Sequence, residues 1–288
     1  MTRSHTAADS PEQRFQLLTD LLTWEGRLSN QRLRSLFGIS AVRASEWIRE
    51  LRTRHSDWLI HDTRSRSYTA TAVLYRTGAV RADRQSFGES LARYLNLVGL
   101  PHAPEKSTSG LWAAFPDISV PDPSVFAKLN DAINSGRVVK AIYRSMGNPK
   151  PHIRTLSPHS LVKVGRRWHV RAYSRENEGF RDYALGRIVS LSPSEDSAEC
   201  GAEDDIGWMT MVKVRLVAHS LLTPEQQEVI RFEYFNGTSA RVDTCRGALV
   251  SYYLQDVRAA LKPNEQRPPD YQLAVENLDE VIPWVFPS

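Results

Sequence analysis

Apolar positions recur with helical spacing through the first fifty residues. In PEQRFQLLTDLLTWE, residues 11–25, Phe15, Leu18 and Leu22 form a stripe, with Leu21 and Trp24 one position off. Pro11 suits a first helical turn and Gly26 a C-terminal stop. Ser29 is placed to cap a short helix carrying Leu33, Leu36 and Phe37; Gly38 permits a tight turn, and Ser40 caps the next helix. That helix, AVRASEWIRELRTR, buries Ala44, Ile48 and Leu51, with Trp47 alongside. Two strands are predicted next, around Trp58 and Ile60 and around Tyr68 and Ala70, joined by the polar turn DTRSRS. Helix, short helix, glycine turn, helix and hairpin is the pattern of a winged helix-turn-helix. Ser40, Arg43, Ser45 and Arg49 then face a major groove or its flanking phosphates, and Arg64 and Arg66 stand at the wing tip. The alternative is a helical hairpin with a solvated charged face.

The periodicity changes along the chain. FGESLARYLNLVG reads as a helix with Leu91, Tyr94, Leu95 and Val98 apolar; a Pro/Ser-rich passage follows, then a second helix, PSVFAKLNDAINSG, ending at Gly136. Residues 137–193 switch to alternation with period two and hold five short strands, which suggests a small, strongly bent barrel. Within RRWHVRAYS, Trp168, Val170 and Ala172 fall on one side, and Arg167, His169, Arg171 and Tyr173 on the other. The last block reads as strand, helix from Pro224, strand and helix, a compact α+β module. The whole is an α+β multidomain chain: residues 1–85 a winged helix-turn-helix, 86–135 a helical connector, 136–193 a β-barrel, and 194–288 the C-terminal module.

Charge sharpens this division. Residues 1–85 carry 14 basic and 9 acidic groups, and every one of those basic groups is Arg. Residues 136–190 carry 12 basic and 3 acidic groups, while residues 191–288 carry 8 and 16. Basic blocks attract phosphate and an acidic one repels it. No apolar run reaches the roughly 18 residues that span a bilayer, and MTRSHTAADSPEQ has no apolar stretch of a secretory signal. A cytoplasmic, nucleoid-associated location and no membrane contact are expected. GxGxxG, GxxxxGK[ST], HExxH and GxSxG are missing; the eight histidines and Cys200 and Cys245 have no metal-ligand spacing. No enzyme, cofactor or metal is therefore expected. Glu203, Asp204 and Asp205 in CGAEDDIG read as a solvated linker.

A winged helix-turn-helix, then SPH, RRWHVRAYS, FRDY and LGRI in order, then an α+β module, resembles the WYL-domain transcriptional regulators, and among them the BrxR/CapW-like repressors found beside phage-defence systems. The naming tripeptide departs: Trp168 is followed by His169 and Val170 where Tyr and Leu are the pattern. The resemblance implies an Sm-like/SH3-like barrel (the WYL domain), a homodimer joined by the C-terminal module, an inverted-repeat operator in double-stranded DNA, and an anionic, nucleotide or nucleic-acid ligand. On that implication Tyr143, Arg144, Ser145, His159, His169, Arg171, Tyr173 and Arg181 line the ligand pocket, with Arg154 and Arg187 as weaker members. Arg171→Ala or Arg181→Ala is then expected to leave the protein folded and on DNA while blunting induction. Two alternatives stand beside it. In one, the basic row is an exposed face that pairs with the acidic C-terminal block; in the other, the chain is an accessory or effector of a nuclease or helicase that binds nucleic acid through the barrel.

Overall fold

A computed structural model describes residues 10–76, 84–99 and 119–286, in two compact units, 1–116 and 117–288. The Pro/Ser-rich passage expected at 100–118 lies outside the described residues.

The first unit opens with α1 (Pro11–Glu25), whose N-terminus is capped by Ser10 and whose end is turned by Gly26 at φ 65°. β1 (Arg27–Leu28) follows, then α2 (Asn30–Phe37) and α3 (Ala41–Arg54). Ser29 and Ser40 accept the backbone N–H of Arg32 and Arg43, and Gly38 at φ 65° makes the turn between the helices. Each hydroxyl satisfies a helix-start donor that has no partner inside the helix. β2 (Leu59–Asp62), β3 (Ser67–Ala70), α4 (Ala72–Arg76) and α5 (Arg84–Val98) complete the unit. The sheet order is β1-β3-β2, antiparallel throughout. The strand register differs from expectation by one residue: Trp58 is buried just before β2, Leu59 points inward, and Ile60 is exposed. Leu21, Leu22, Leu33, Ala44 and Leu51 share one core with Trp58 and Tyr94. The helix bearing Tyr94, α5, packs on α1. There Asp20, buried, accepts from Arg93 at 2.9 Å and Ser90 at 2.7 Å.

In the second unit α6 (Pro123–Ser135) is capped by Asp122 and ended by Gly136. Five antiparallel strands follow: β4 (Arg137–Tyr143), β5 (His152–Val164), β6 (Arg167–Ser174), β7 (Gly179–Ala184) and β8 (Ile188–Ser197), in the order β7-β6-β5-β4-β8. The register shifts between Pro158 and Ser160, and again along β4 and β8, bending the sheet. No ladder joins β7 to β8 among the described residues, so pairing does not close the sheet into the expected barrel. Val139, Ala141, Leu156, Val170 and Ala172 form its core face with Val125, Leu129 and Ala132 of α6.

The C-terminal part contains α7 (Ile206–Met209), β9 (Met211–Ala218), α8 (Pro224–Phe235), β10 (Ala240–Arg246), α9 (Val250–Asp256), β11 (Ala259–Ala260), β12 (Leu273–Val275) and α10 (Leu278–Val281). The sheet order is β10-β9-β12-β11. Val212, Val214 and Leu216 alternate inward along β9 to meet Ile230, Phe235, Val250 and Leu254. The helix α9 is shorter than its apolar pattern suggests. Arg258 turns the chain at φ 50°, and Ala259 and Ala260 pair with β12 instead.

Candidate functional site

The arginines of the first unit divide into two kinds. Arg32 is held by Glu25 at 2.6 Å, and Arg14 and Arg54 by Glu50 at 3.7 and 3.3 Å. Arg43 and Arg49 are exposed on α3, and no hydrogen bond or ion pair holds either guanidinium among the described residues. Ser40 is occupied as the cap of α3. Ser45, exposed, accepts from Asn30 at 2.8 Å, and Asn30 also donates to the Ala41 carbonyl at 2.7 Å, so α2 is fastened to the start of α3. At the wing tip Asp62 accepts the N–H of Arg64 at 3.0 Å and the hydroxyl of Ser65 at 2.5 Å, and Arg66 sits at φ 50°. This fixed turn leaves both arginine side chains exposed. Between α3 and β2 lies a cleft of about 280 Å³ lined by Arg49, Arg52, Thr53 and His61. Arg52 donates to the Tyr68 hydroxyl at 3.2 Å and stacks 5.2 Å from its ring, joining helix to wing. Sequence reading missed Asn30, Arg52 and His61, because each acts through a neighbour distant in the chain.

The row on β6 meets the C-terminal part of its own unit. Arg171, 8 % exposed, holds Asp205 with two hydrogen bonds, Nε to Oδ2 at 2.5 Å and Nη2 to Oδ1 at 3.0 Å. Its Nη1 reaches Asp182 Oδ1 at 3.2 Å. His159 Nε2 lies 3.2 Å from the same Asp205 Oδ2, and its ring stands edge-on to Phe180 and Trp208. The Tyr252 hydroxyl donates to Asp182 at 3.2 Å, and His169 packs against the Tyr252 ring. Tyr173 packs edge-on to Phe180. Asp205, expected in a solvated linker, is 2 % exposed and caps α7 through the Trp208 N–H at 3.1 Å. Burial pushes its carboxyl up. The Arg171 guanidinium, the Trp208 N–H and His159 outweigh that and hold it below the usual carboxylate range.

The other expected pocket residues lie elsewhere. Tyr143 is buried on the core side, accepts the Ala184 N–H at 3.2 Å and stands edge-on to Tyr183. Arg181 pairs in register with Ala172, so it lies on the opposite side of the sheet from Arg171 and is exposed. Arg144 is exposed just past β4, its N–H bound to the Arg187 carbonyl, and Ser145 closes the turn with Asn148 at 2.9 Å. Arg154 and Arg187 are half-buried. His152, missed in the sequence, lies edge-on to Tyr143. Its Nδ1 meets the Lys150 carbonyl at 2.8 Å, and its buried Nε2 has no partner. The structure thus brings His159, His169, Arg171 and Tyr173 together on one face. It gathers Tyr143, Arg144 and Ser145 with His152 around the end of β4, and places Arg181 on the side of the sheet opposite Arg171.

Burial lowers the affinity of His159 and His169 for a proton. For His159 the Asp205 carboxylate opposes this without overcoming it, and for His169 Asp182 does the same. Both rings therefore take up a proton less readily in the fold than an unfolded histidine, which protonates near about pH 6.5. Below that pH the unfolded chain binds more protons than the folded one, and stability falls. Asp205 acts in the opposite range: its contribution is complete above about pH 4 and is lost only as pH drops through its lowered folded value. The urea midpoint should therefore fall from pH 7 to pH 5, and His159→Gln with His169→Phe should flatten that fall. A wild-type midpoint constant across the range would contradict the lowered proton affinity of the buried pair.

Three family models match the chain: the BrxR transcriptional regulator winged helix-turn-helix domain over residues 10–78, the WYL domain over 124–193, and the BrxR transcriptional regulator C-terminal dimerization domain over 211–281. The DNA-binding transcriptional repressor CapW of Pseudomonas aeruginosa is 32 % identical over 275 residues, covering 94 % of this chain and 90 % of that one. The chain belongs to the CapW family of DNA-binding transcriptional repressors. CapW of Escherichia coli (strain KTE188) is also 32 % identical, with the same coverage, and CapW of Stenotrophomonas maltophilia is 29 % identical over 95 % of this chain and 91 % of its own. The CapW family is one of regulators and not of enzymes, which sets aside a catalytic reading of the basic sheet. Among solved structures, proteasome accessory factor B/C of Arthrobacter aurescens aligns at a TM-score of 0.29 and 15 % identity over 99 % of this chain, which spans half the length of that one. No helix among the described residues is long and apolar enough to cross a membrane.

Proposed function

We propose that the chain is a cytoplasmic, homodimeric repressor of a phage-defence locus, in which two winged helices hold an inverted-repeat operator and the five-stranded domain senses an anionic ligand. In this reading residues 1–85 bind DNA, 86–135 connect, 136–193 form an Sm-like barrel that senses, and 194–288 dimerise. One observation carries it: Arg43 and Arg49 project from α3 with no partner among the described residues, while the other side of the same helix is locked into the core. A guanidinium without a carboxylate is ready for a phosphate or a guanine edge. Arg64 and Arg66 supply the wing contact.

The ligand belongs at the end of β4 rather than at Arg171. Arg171 already faces two carboxylates, so a further anion there meets net negative charge. Arg144, Arg154 and Arg187 have no acidic partner among the described residues, and Tyr143 and His152, whose buried Nε2 has no partner, lie at the same end of β4 as Arg144. Arginine forks and an aromatic edge suit a phosphorylated nucleoside or a nucleic-acid end. Arg144→Ala with Arg187→Ala should abolish binding of such a ligand in calorimetry without changing operator affinity; unchanged titration curves would remove this site.

The face offered to the second copy is that of α8: Val229 and Phe232 expose 61 % and 80 % of their surface inside the stretch that matches the dimerization model, which supports this reading. Light scattering should give twice the 32.6 kDa chain mass, and Val229→Glu with Phe232→Glu should halve it. A wild-type monomer at micromolar concentration, or no specific retardation of DNA from upstream of the gene, would overturn the dimeric repressor.

A further inference from the structure

Ala44, Trp47, Ile48 and Leu51 fill the core side of α3. The residues most nearly opposite them are Val42, Glu46, Arg49 and Thr53, all exposed and spaced by four, three and four, so they follow one line along the helix. Arg43 and Ser45 stand on the flanks of that line. It holds two groups that a phosphate-binding surface has no use for. Val42, in the first turn, leaves 69 % of its surface exposed. Glu46 is exposed, and no hydrogen bond or ion pair holds its carboxylate among the described residues. Other carboxylates of this unit hold arginines: Glu25 holds Arg32, and Glu50 holds Arg14 and Arg54. A bare carboxylate beside Arg43 and Arg49 repels the phosphates that those arginines attract.

Both groups have a use at base edges. The major groove displays the thymine methyl, which an aliphatic side chain covers, and the cytosine N4 amino group, which donates to a carboxylate. The N-terminal residues of the second helix are the part of a helix-turn-helix that reaches those edges. From Val42 to Glu46 the helix rises about 6 Å, close to two base-pair steps of about 3.4 Å. We propose that Val42 and Glu46 are specificity residues of the DNA-binding face, Val42 covering a thymine methyl and Glu46 accepting from a cytosine N4 amino group about two base pairs away. The inference deepens the DNA-binding reading above and rests on it. Glu46 also acts by exclusion: its charge weakens binding to every sequence that offers it no amino group.

Anisotropy titrations on a duplex from upstream of the gene test both assignments. Each thymine is replaced in turn by deoxyuridine, which lacks only the methyl. Wild-type protein should lose about fourfold at one thymine of a half-site, and Val42→Ala, already without the contact, should lose nothing further there. Base-pair substitutions across the same duplex should show wild type preferring cytosine at one position by about tenfold. Glu46→Gln should move that preference to adenine, because an amide accepts from adenine N6 and donates to N7. Glu46→Ala should bind a scrambled duplex more tightly than wild type does. Both positions are exposed on a helix, so the variants keep the fold. Equal responses of wild type and Val42→Ala at every thymine, or wild-type base preferences in Glu46→Gln, overturn the inference. If Arg49→Ala still weakens binding in that case, the DNA-binding reading of α3 stands without it. If no α3 variant, Arg49→Ala included, alters binding to any duplex, that reading falls as well.

Discussion

Replacing Arg171 by alanine should destabilise the second unit by about 3–5 kcal/mol, the cost of leaving buried charge without its partner. Asp205 is 2 % exposed, and the Asp182 side chain is also buried, so the variant strands two carboxylates within reach of each other. Urea unfolding followed by tryptophan fluorescence reads the loss. It should be largest near neutral pH and shrink as pH approaches 4, because protonation then neutralises the stranded Asp205. Exchanging both partners for apolar groups, Arg171→Met with Asp205→Leu, should cost less than Arg171→Ala alone, since no charge then remains at that end of the network. A loss under about 1 kcal/mol for Arg171→Ala would mean that solvent reaches the pair and that the network holds little. The outcome also separates two readings of the same residue. A ligand-binding arginine with no other task leaves the fold intact when removed, which is what the sequence alone leads one to expect. The structure makes Arg171 part of the framework.

That difference shows which features the chain reveals locally. Ser29 and Ser40 before their helices, Gly26 and Gly38 after theirs, and the inward alternation of Val212, Val214 and Leu216 each depend on neighbours within a few residues, and all are legible. The alternation of RRWHVRAYS also places Val170 and Ala172 on the core face correctly. Periodicity says that His169 and Arg171 share the other face; it does not say what covers that face. The cover comes from Asp205, 34 residues on, and Tyr252, further still. An acidic cluster in a glycine-flanked loop is usually solvated, and only tertiary structure shows that Asp205 is a helix cap and ion-pair partner. The placement of Arg181 fails for a related reason. Its side of the sheet is set by β7 pairing with β6 in a register no local pattern specifies. The two-residue β1 is too short to leave any alternation.

For the DNA-binding head, Arg43→Ala and Arg49→Ala should each weaken operator binding by about 1–3 kcal/mol if the side chain reads a base edge. The loss then falls on the specific duplex and spares a scrambled one. A side chain that touches only phosphate gives a different signature: both duplexes weaken alike, and the slope of affinity against salt falls by about one ion per contact removed. Arg64→Ala and Arg66→Ala at the wing tip should show that second pattern, because a fixed turn offers their charge to a backbone. Arg32 provides the control that ties these results to the structure. It is as cationic as Arg43, but Glu25 holds it between α1 and α2. Arg32→Ala should therefore act on stability and leave the DNA affinity of the folded protein nearly unchanged. Equal effects of Arg32 and Arg43 on affinity would mean that net charge, and not the exposed face of α3, holds the duplex. If neither Arg43 nor Arg49 affects any duplex, α3 is not the helix that enters the groove.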